Sequence, residues 1–286
     1  MIKLKISHCW LIGLACLFSC KNSPTGKIAK TNLKKADPTP ASVQNPRPVH
    51  WSYTEEGGPD GWAKLSPVYA DCGSGKSQSP VDLLSNSGKS SSHLKIEYKT
   101  TKLKISHNAH VEELINNGHT IEVTPQEGST ISYEGKVYRL KQFHFHTPSE
   151  HTINGQHFPM EIHLVHQADD KSLAVIGVLV QVGKHNNNFD QLIKYLPNDV
   201  GMKKTYNSVN IEIGNNVPKD LYAYHYVGSL TTPPCTENVQ WLVMKTPISM
   251  NKEQIAEFAS RLKNNSRPTQ PMNGRTVTMD DITTNK

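Results

Sequence analysis

The stretch QFHFHTPSEH, residues 142–151, places three histidines and a glutamate around two phenylalanines. Side chains of a β-strand point alternately to its two faces, so Gln142, His144 and His146 share one face. The two phenylalanines share the opposite face, and their apolar rings predict that this face lies in the core. His144 and His146 then point towards a cavity, where a third histidine from elsewhere in the chain would complete a metal site.

The third histidine is found in MEIHLVHQ, residues 160–167, which also has the character of a strand. Alternation places Glu161 and His163 on one face and His166 on the other, so only one of the two histidines can join the first pair. We favour His163, because Glu161 on the same face can accept a hydrogen bond from a ligating imidazole.

The neighbours of these histidines favour a catalytic metal site. Gln142 can accept a hydrogen bond from His144, as Glu161 can from His163, and such contacts fix the orientation of a ligating ring. Three neutral imidazoles on rigid strands suit Zn²⁺ and leave one coordination position for water. The alternative is that the His-x-His pair consists of half-buried, hydrogen-bonded strand residues.

Strand patterns dominate the rest of the domain. Alternating or apolar segments of strand length occur at residues 94–106, 120–125, 130–146, 172–183 and 238–248. Glu134-Gly135 predicts a hairpin turn within the third of them, and residues 251–263 have the spacing of an amphipathic helix. We therefore expect a sheet-dominated mixed α/β domain with a large, mostly antiparallel twisted central β-sheet and peripheral short helices.

The net charge of +6 does not indicate a nucleic-acid partner. Residues 1–20 carry +2 and residues 21–48 carry +5, so residues 49–286 carry −1. Binding to nucleic acid depends on Lys and Arg concentrated on the binding surface. Because the domain itself is nearly neutral, the sequence predicts no nucleic-acid partner.

The first 20 residues predict an export signal, because a short basic start precedes an apolar run too short to span a bilayer comfortably. The closing LFSC resembles a bacterial lipoprotein box, in which Cys20 becomes the lipidated first residue, although Phe18 is bulky for that motif. Ordinary signal-peptide cleavage is the alternative. Residues 21–48, rich in Lys, Pro, Ser and Thr, predict a flexible tether before a catalytic domain at 49–286. We expect an exported protein of the periplasm or cell envelope, tethered to the membrane through Cys20.

Cysteine usage agrees with export. Three of the five cysteines lie in the first 20 residues, which leaves Cys72 and Cys235 in the domain. Two thiols in an oxidising compartment most simply form one disulfide. The alternative is a pair of buried free thiols.

From HWSY at His50 to NGRTV near Val277, the domain resembles the alpha-class carbonic anhydrases, and bacterial members in particular. The shared motifs, in the order of the family, are QSPVDL, NNGH, QFHFH, SEHT, EIHLVH, GSLTTPPC, WLVMKTPI and RPTQP. The resemblance implies the fold of that family and an enzyme that reversibly hydrates CO2 to bicarbonate and a proton. It also implies that His144, His146 and His163 bind Zn²⁺.

The resemblance further implies how the nucleophile is held. In the family, zinc-bound hydroxide attacks CO2, and a threonine accepts a hydrogen bond from it while donating one to a buried glutamate. The corresponding residues are Thr231 and Glu150. Without the resemblance, Thr231 would be an ordinary turn hydroxyl and Glu150 a surface carboxylate.

A route for the released proton is implied in the same way. His119 corresponds to the proton-shuttle histidine of the family, and Tyr53 and Asn117 correspond to residues that support the water chain. The alternative for His119 is an exposed turn residue. Glu122 stands where a neutral amide is expected, and its charge could raise the pKa of the shuttle.

The substrate pocket also has counterparts in the sequence. The residues that match the hydrophobic CO2 pocket of the family are Val165, Val175, Leu230 and Trp241. Thr232 matches a residue that contacts bicarbonate. Pro80 and Pro234 match positions that have cis peptide bonds in the family.

The same scaffold is compatible with two other functions. A binding or adhesion module on the same scaffold is one, but such relatives typically lack a ligand histidine, and this chain keeps all three. A general zinc esterase is the other, because the same nucleophile can attack activated esters. The expected partners are CO2 and bicarbonate, with membrane contact only through Cys20, and the chain is expected to be a monomer or a homodimer.

Overall fold

The computed structural model describes residues 49–84, 87–109, 118–219 and 222–284. The expected export signal with Cys20, the expected tether and Asn117 lie outside these residues. Within the described ranges, no helix is both long and apolar enough to cross a membrane. The division into signal, tether and domain stays a prediction.

Many short strands and a few short helices make up the described part of the chain. The strands are β1 (Asp82–Leu83), β2 (Gly88–Glu97), β3 (Thr100–Ala109), β4 (Gly118–Val123), β5 (Thr130–Tyr133), β6 (Lys136–His146), β7 (Thr152–Ile153), β8 (Gln156–His157), β9 (Met160–Gln167), β10 (Leu173–Val182), β11 (Lys203–Glu212), β12 (Tyr222–Ser229), β13 (Glu237–Met244), β14 (Ile248–Met250) and β15 (Thr278–Thr284). The α-helices are α1 (Trp62–Leu65), α2 (Asp71–Ser74), α3 (Asp190–Lys194) and α4 (Lys252–Leu262). Single 3-10 turns occupy Glu55–Gly57, Pro67–Tyr69, Asn187–Phe189 and Ile213–Asn216.

One large sheet dominates this part of the chain. Its strand order is β11-β3-β4-β6-β5-β2-β15-β12-β13-β10-β14, and β9 joins β6 to β10. Because β9 closes this connection, the strands from β6 through β5, β2, β15, β12, β13 and β10 curl into a ring. The neighbours pair antiparallel except β10 with β13, β10 with β14, and β2 with β15. The expected sheet-dominated, mostly antiparallel fold is confirmed.

Local sequence signals position the hairpin and the longest helix. Glu134 and Gly135 have φ values of 50° and 74° and join β5 to β6, which is the geometry of the predicted hairpin turn. Asn251 begins α4 with a capping box to Gln254. Phe258 is fully buried against Phe145, with 4.6 Å between ring centroids. The helix therefore packs on the core face of β6, behind the histidines.

Candidate metal centre

The pairing of β6 with β9 brings the three predicted histidines together. His144 lies directly opposite His163, and His146 lies opposite Glu161. The centroids of the three imidazole rings lie 4.5 to 5.2 Å apart, and one ring nitrogen from each lies within 4.8 Å of the others. His166, on the other face of β9, contacts the Tyr98 hydroxyl at 2.8 Å instead. The alternation argument for His163 is confirmed.

A β-bulge at Lys141 decides which face of β6 meets the cavity. The register shifts between Leu140 and Gln142, so one extra residue of β6 lies opposite β9. Before the bulge the core residue is Leu140, and after it the core residue is Phe143. Since the side-chain period of a strand is two, the bulge moves the core face from even to odd positions. Without it, His144 would point into the core.

Each imidazole is oriented by one hydrogen bond, which leaves its other nitrogen for the cavity. His144 Nδ1 donates to Gln142 Oε1 at 2.7 Å, His146 Nδ1 donates to the Asn265 carbonyl at 2.7 Å, and His163 Nε2 donates to Glu161 Oε1 at 3.0 Å. Such contacts select the tautomer of a metal ligand. His146 Nε2 is buried with no hydrogen-bond partner among the described residues. The donor set and this orphaned nitrogen fit a bound metal ion.

Burial keeps the three histidines in the form that binds metal. It lowers the pKa of His144 well below its ordinary value, aided by the neighbouring His146 and His163. It also lowers the pKa of His146 to about 4, and it lowers the pKa of His163 although Glu161 opposes the shift. Neutral imidazole is the ligating form. The three imidazoles are therefore uncharged at neutral pH before any metal binds.

Glu161 is held by a buried network behind His163. Its Oε1 also accepts a hydrogen bond from His151 Nδ1 at 2.7 Å, and its Oε2 accepts from the backbone N–H groups of Glu150 and His151. Burial raises the pKa of Glu161, but His151 and His163 outweigh burial and hold that pKa well below its usual value. Gly177 gives this carboxylate room, because a Cβ there would lie 2.9 Å from Glu161 Oε1. The orienting group is therefore a fixed carboxylate.

Glu150 lies in the same buried layer. Its Oε1 accepts a hydrogen bond from the backbone N–H of Arg267 at 2.8 Å, and its buried Oε2 has no well-formed hydrogen bond among the described residues. Burial raises the pKa of Glu150 to about 7, whereas His163, Arg267 and the nearby Thr231 hydroxyl lower it. The alternative of a surface carboxylate does not hold, because Glu150 is fully buried.

An apolar wall lies beside the histidines and lines the same cavity of about 220 Å³. Val165 of β9, Val175 of β10 and Trp241 of β13 are register partners on three adjacent strands, so they form one row. Leu230 and Thr232 line the same cavity beside Thr231. The structure thus brings together all five residues that were predicted to bind substrate.

The comparisons agree with this geometry. Residues 57–281, more than half of the chain, match the family model described as eukaryotic-type carbonic anhydrase. The chain belongs to the alpha-class carbonic anhydrases. It is therefore a carbonic anhydrase enzyme, and the cluster of His144, His146 and His163 is its metal site.

Relatives and a solved structure cover nearly the whole domain. The chain is 39% identical to the carbonic anhydrase of Neisseria gonorrhoeae, over 80% of this chain and 87% of the relative. It is 39% identical to the carbonic anhydrase of Nostoc sp., over 87% of this chain and 92% of the relative. A structure of the alpha-carbonic anhydrase from Thermovibrio ammonificans in complex with sulfanilamide has a TM-score of 0.75 and 38% identity, and covers 81% of this chain and 99% of that one.

Two of the residues predicted for the proton route, His119 and Tyr53, line the carbonic anhydrase cavity. His119 lies in β4 with only 4% of its surface exposed, so it is not the exposed turn residue of the alternative. Glu122 is the register partner of His144; burial raises its pKa, and Lys203 and Thr124 lower it. Asn117 lies outside the described residues.

The predicted disulfide is present. Cys72 and Cys235 are bonded, which is typical of an extracytoplasmic protein, and the Cys235 N–H donates to the Thr232 carbonyl at 2.9 Å. The bond thus anchors the loop that carries Thr231 to the start of the domain. The peptide bonds before Pro80 and Pro234 are cis as expected, and the bond before Pro148 is cis as well.

Removal of the disulfide is expected to lower stability strongly. The bond closes a loop with a sequence separation of 163, so the chain-entropy model gives a loss of about 4–5 kcal/mol in the free energy of unfolding. Urea unfolding of the Cys72→Ser/Cys235→Ser double variant, compared with the oxidised protein, measures this loss. A change below about 1 kcal/mol would show that the loop is held by packing alone.

Asn265 and Arg267 are site residues that the sequence reasoning missed. Asn265 supplies the carbonyl that orients His146, and its side chain donates to the carbonyls of His119 and Phe145. The backbone N–H of Arg267 donates the hydrogen bond that Glu150 Oε1 accepts. Arg267 is the first residue of the RPTQP motif and Asn265 lies two positions before it, but no feature of spacing points to a role, because their partners lie more than 100 residues away.

Proposed function

We propose that this carbonic anhydrase binds Zn²⁺ through His144, His146 and His163 and uses it to hydrate CO2. The observation that carries the proposal is the convergence of three neutral imidazoles, each oriented by a hydrogen bond, beside an apolar wall. When bound, Zn²⁺ acts as a Lewis acid that acidifies water, so that a nucleophile is available near neutral pH. Gln142 and Glu161 hold two of the ligating rings in place.

Thr231 and Glu150 are proposed to aim the nucleophile. The carboxylate of Glu150 is fixed by the backbone N–H of Arg267, and its second oxygen has no well-formed hydrogen bond among the described residues. The Thr231 hydroxyl lies beside it at the cavity. If this hydroxyl donates its single proton to Glu150, it presents only lone pairs to the cavity. It can then accept a hydrogen bond from the attacking oxygen and so fix the direction of attack.

The substrate is proposed to lie against the row of Val165, Val175 and Trp241. CO2 has no hydrogen to donate and is weakly polar, so an apolar wall binds it without leaving polar groups unpaired. Leu230 closes this pocket, and the Thr232 hydroxyl offers a hydrogen bond to the more polar product, bicarbonate. The arrangement thus offers CO2 an apolar surface and bicarbonate a polar contact.

His119 is proposed to carry the product proton from the cavity. Imidazole titrates in the required range, and Tyr53, whose buried hydroxyl has no hydrogen-bond partner among the described residues, is placed to support water between the metal site and His119. Asn117 is proposed for the same task. Glu122 adds a carboxylate beside the route, and we expect it to alter the rate of proton transfer.

The His119→Ala variant is expected to turn over CO2 more slowly in weak buffer, by about tenfold or more, because general acid–base groups typically contribute 10²- to 10⁴-fold. Small imidazoles in the buffer should restore the rate. Stopped-flow hydration at increasing buffer concentration measures both effects. A rate that depends on buffer as in the unmodified protein would mean that protons leave by another route.

Export is proposed from the N-terminal pattern together with the disulfide. We propose that Cys20 carries a lipid that tethers the enzyme in the periplasm or cell envelope, with residues 21–48 as the tether. Mass spectrometry of the protein isolated from membranes tests for the lipid. A monomer and a homodimer are both compatible with a site built entirely from one chain.

Stopped-flow CO2 hydration with metal analysis of the same sample tests the proposed function. We expect about one zinc per chain and hydration that is lost on chelation and regained on adding Zn²⁺. A parallel assay with an activated ester tests the esterase alternative. Ester hydrolysis without CO2 hydration, or a metal-free protein that hydrates CO2, would contradict the proposal.

A further inference from the structure

Gly177 interrupts the apolar side chains of β10 at the level of the metal site. It lies opposite His163 of β9 on one side and opposite Val243 of β13 on the other. A glycine inside a strand weakens it, because it has no side chain to pack, and often marks a place where another group approaches closely. The φ angle of Gly177 lies outside the left-handed region, so its backbone conformation does not require glycine. The reason for glycine at this position therefore lies in the space that a side chain would fill.

That space is occupied by the carboxylate that orients His163. A Cβ atom at position 177 would lie 2.9 Å from Glu161 Oε1, which is closer than Cβ atoms pack in folded proteins, and 3.2 Å from Val243 Cγ2. The tightest contact is therefore with the polar group. The same Oε1 atom accepts the hydrogen bond of His163 Nε2 at 3.0 Å, so an added methyl group would push on the atom that orients the ligand.

The carboxylate of Glu161 cannot yield to such a methyl group without breaking other contacts. His151 Nδ1 donates to Oε1 at 2.7 Å, and the backbone N–H groups of Glu150 and His151 donate to Oε2 at 2.9 and 2.8 Å. Glu161 and His151 are fully buried, and a buried polar group that loses its partner destabilises the protein. Any shift that relieved the contact would therefore lengthen or bend the hydrogen bond to His163.

We propose that Gly177 is a positioning residue of the metal site, whose missing side chain leaves Glu161 in place to orient His163 and so determines how tightly the protein holds Zn²⁺. The proposal rests on the proposed binding of Zn²⁺. Gly177 acts only through Glu161 and His163. Alternation along β10 places it on the same face as Val175 of the apolar wall, so one strand supports both the metal site and the substrate pocket.

The affinity of Gly177→Ala for Zn²⁺, measured by competition with a chelator, tests the proposal without an activity assay. We expect binding to be at least about tenfold weaker, because groups that orient a ligand are worth about 10- to 100-fold in metal affinity. The matched control is Gly183→Ala, which adds the same methyl group beside Ser249 just beyond the end of β10. This control should bind Zn²⁺ as tightly as the unmodified protein.

Proton NMR of the zinc-loaded protein reports on the hydrogen bond between His163 and Glu161 directly. The proton on His163 Nε2 resonates at low field when a carboxylate accepts it. We expect Gly177→Ala to move this resonance to higher field and to speed its exchange with water. A purely structural role of Gly177 would lower the urea midpoint of the variant and leave this resonance in place.

Two further backgrounds separate the contact with Glu161 from the contact with Val243. Glu161→Ala empties the crowded space, so adding Gly177→Ala to it should weaken Zn²⁺ binding by less than about twofold, as expected when two residues act through one contact. Val243→Ala relieves only the apolar contact, so adding it to Gly177→Ala should not restore the affinity. Circular dichroism checks that each variant is folded. If Glu161→Ala does not fold, the Val243→Ala comparison and the NMR signal decide.

The outcomes distinguish the role of Gly177 from the proposed function. If Gly177→Ala binds Zn²⁺ as tightly as the unmodified protein, or if Val243→Ala restores its affinity, Gly177 does not position Glu161 and the inference is wrong, whereas the proposed function stands. If the unmodified protein does not bind Zn²⁺, the proposed function itself fails.

Discussion

Replacement of His163 by alanine is expected to abolish both metal binding and CO2 hydration. His163 is the ligand that β9 contributes opposite His144, and two imidazoles cannot complete the three-nitrogen site. Partners that only orient a ligand are worth about 10- to 100-fold in metal affinity, so loss of a ligand should cost at least 100-fold. Metal analysis after dialysis, together with stopped-flow hydration, should show loss of the metal and hydration at the rate of the buffer alone.

The same substitution removes a buried ring, so loss of folding must be separated from loss of metal. His163→Gln fills more of the space, and circular dichroism with urea unfolding reports whether either variant is folded. His185→Ala, at an exposed position with 47% of its side chain accessible, should keep metal and rate. A folded His163→Gln variant that retains zinc and full activity would remove His163 from the metal site.

Replacement of Thr231 by valine is expected to lower kcat/KM for CO2 by about 10²- to 10³-fold, the usual effect of removing one positioned hydrogen-bonding group in an active site. Valine has nearly the shape of threonine but neither donates to Glu150 nor accepts from the attacking oxygen. Metal content should not change, because Thr231 is not a ligand. Stopped-flow kinetics with metal analysis measure both quantities.

Thr231→Ser is the matched control, because it keeps the hydroxyl and removes only a methyl group. We expect it to retain most of the activity. Equal losses in the two variants would assign the effect to packing of the methyl group. Activity of Thr231→Val within about threefold of the unmodified protein would contradict a role in transition-state positioning, since even one such hydrogen bond is worth more.

Alternation along two strands was enough to predict the composition of the metal cluster. QFHFH and MEIHLVHQ predicted correctly that His144, His146 and His163 face the cavity and that His166 does not. The choice between His163 and His166 depended on the carboxylate of Glu161, which does contact His163. The roles of Thr231, Glu150 and His119 came from resemblance to the family, because an isolated hydroxyl, carboxylate or imidazole has no periodic signature.

The sequence by itself determined the two strands that carry the histidines, the shared face of His144 and His146 and the set of ligands, because backbone geometry imposes a period of two within a regular stretch of strand. Only the tertiary structure decided the bulge at Lys141, the register that places His144 opposite His163, and the use of Asn265 and Arg267. These depend on which distant segments pack together, and residues 119 positions apart in the chain meet only after that packing has formed.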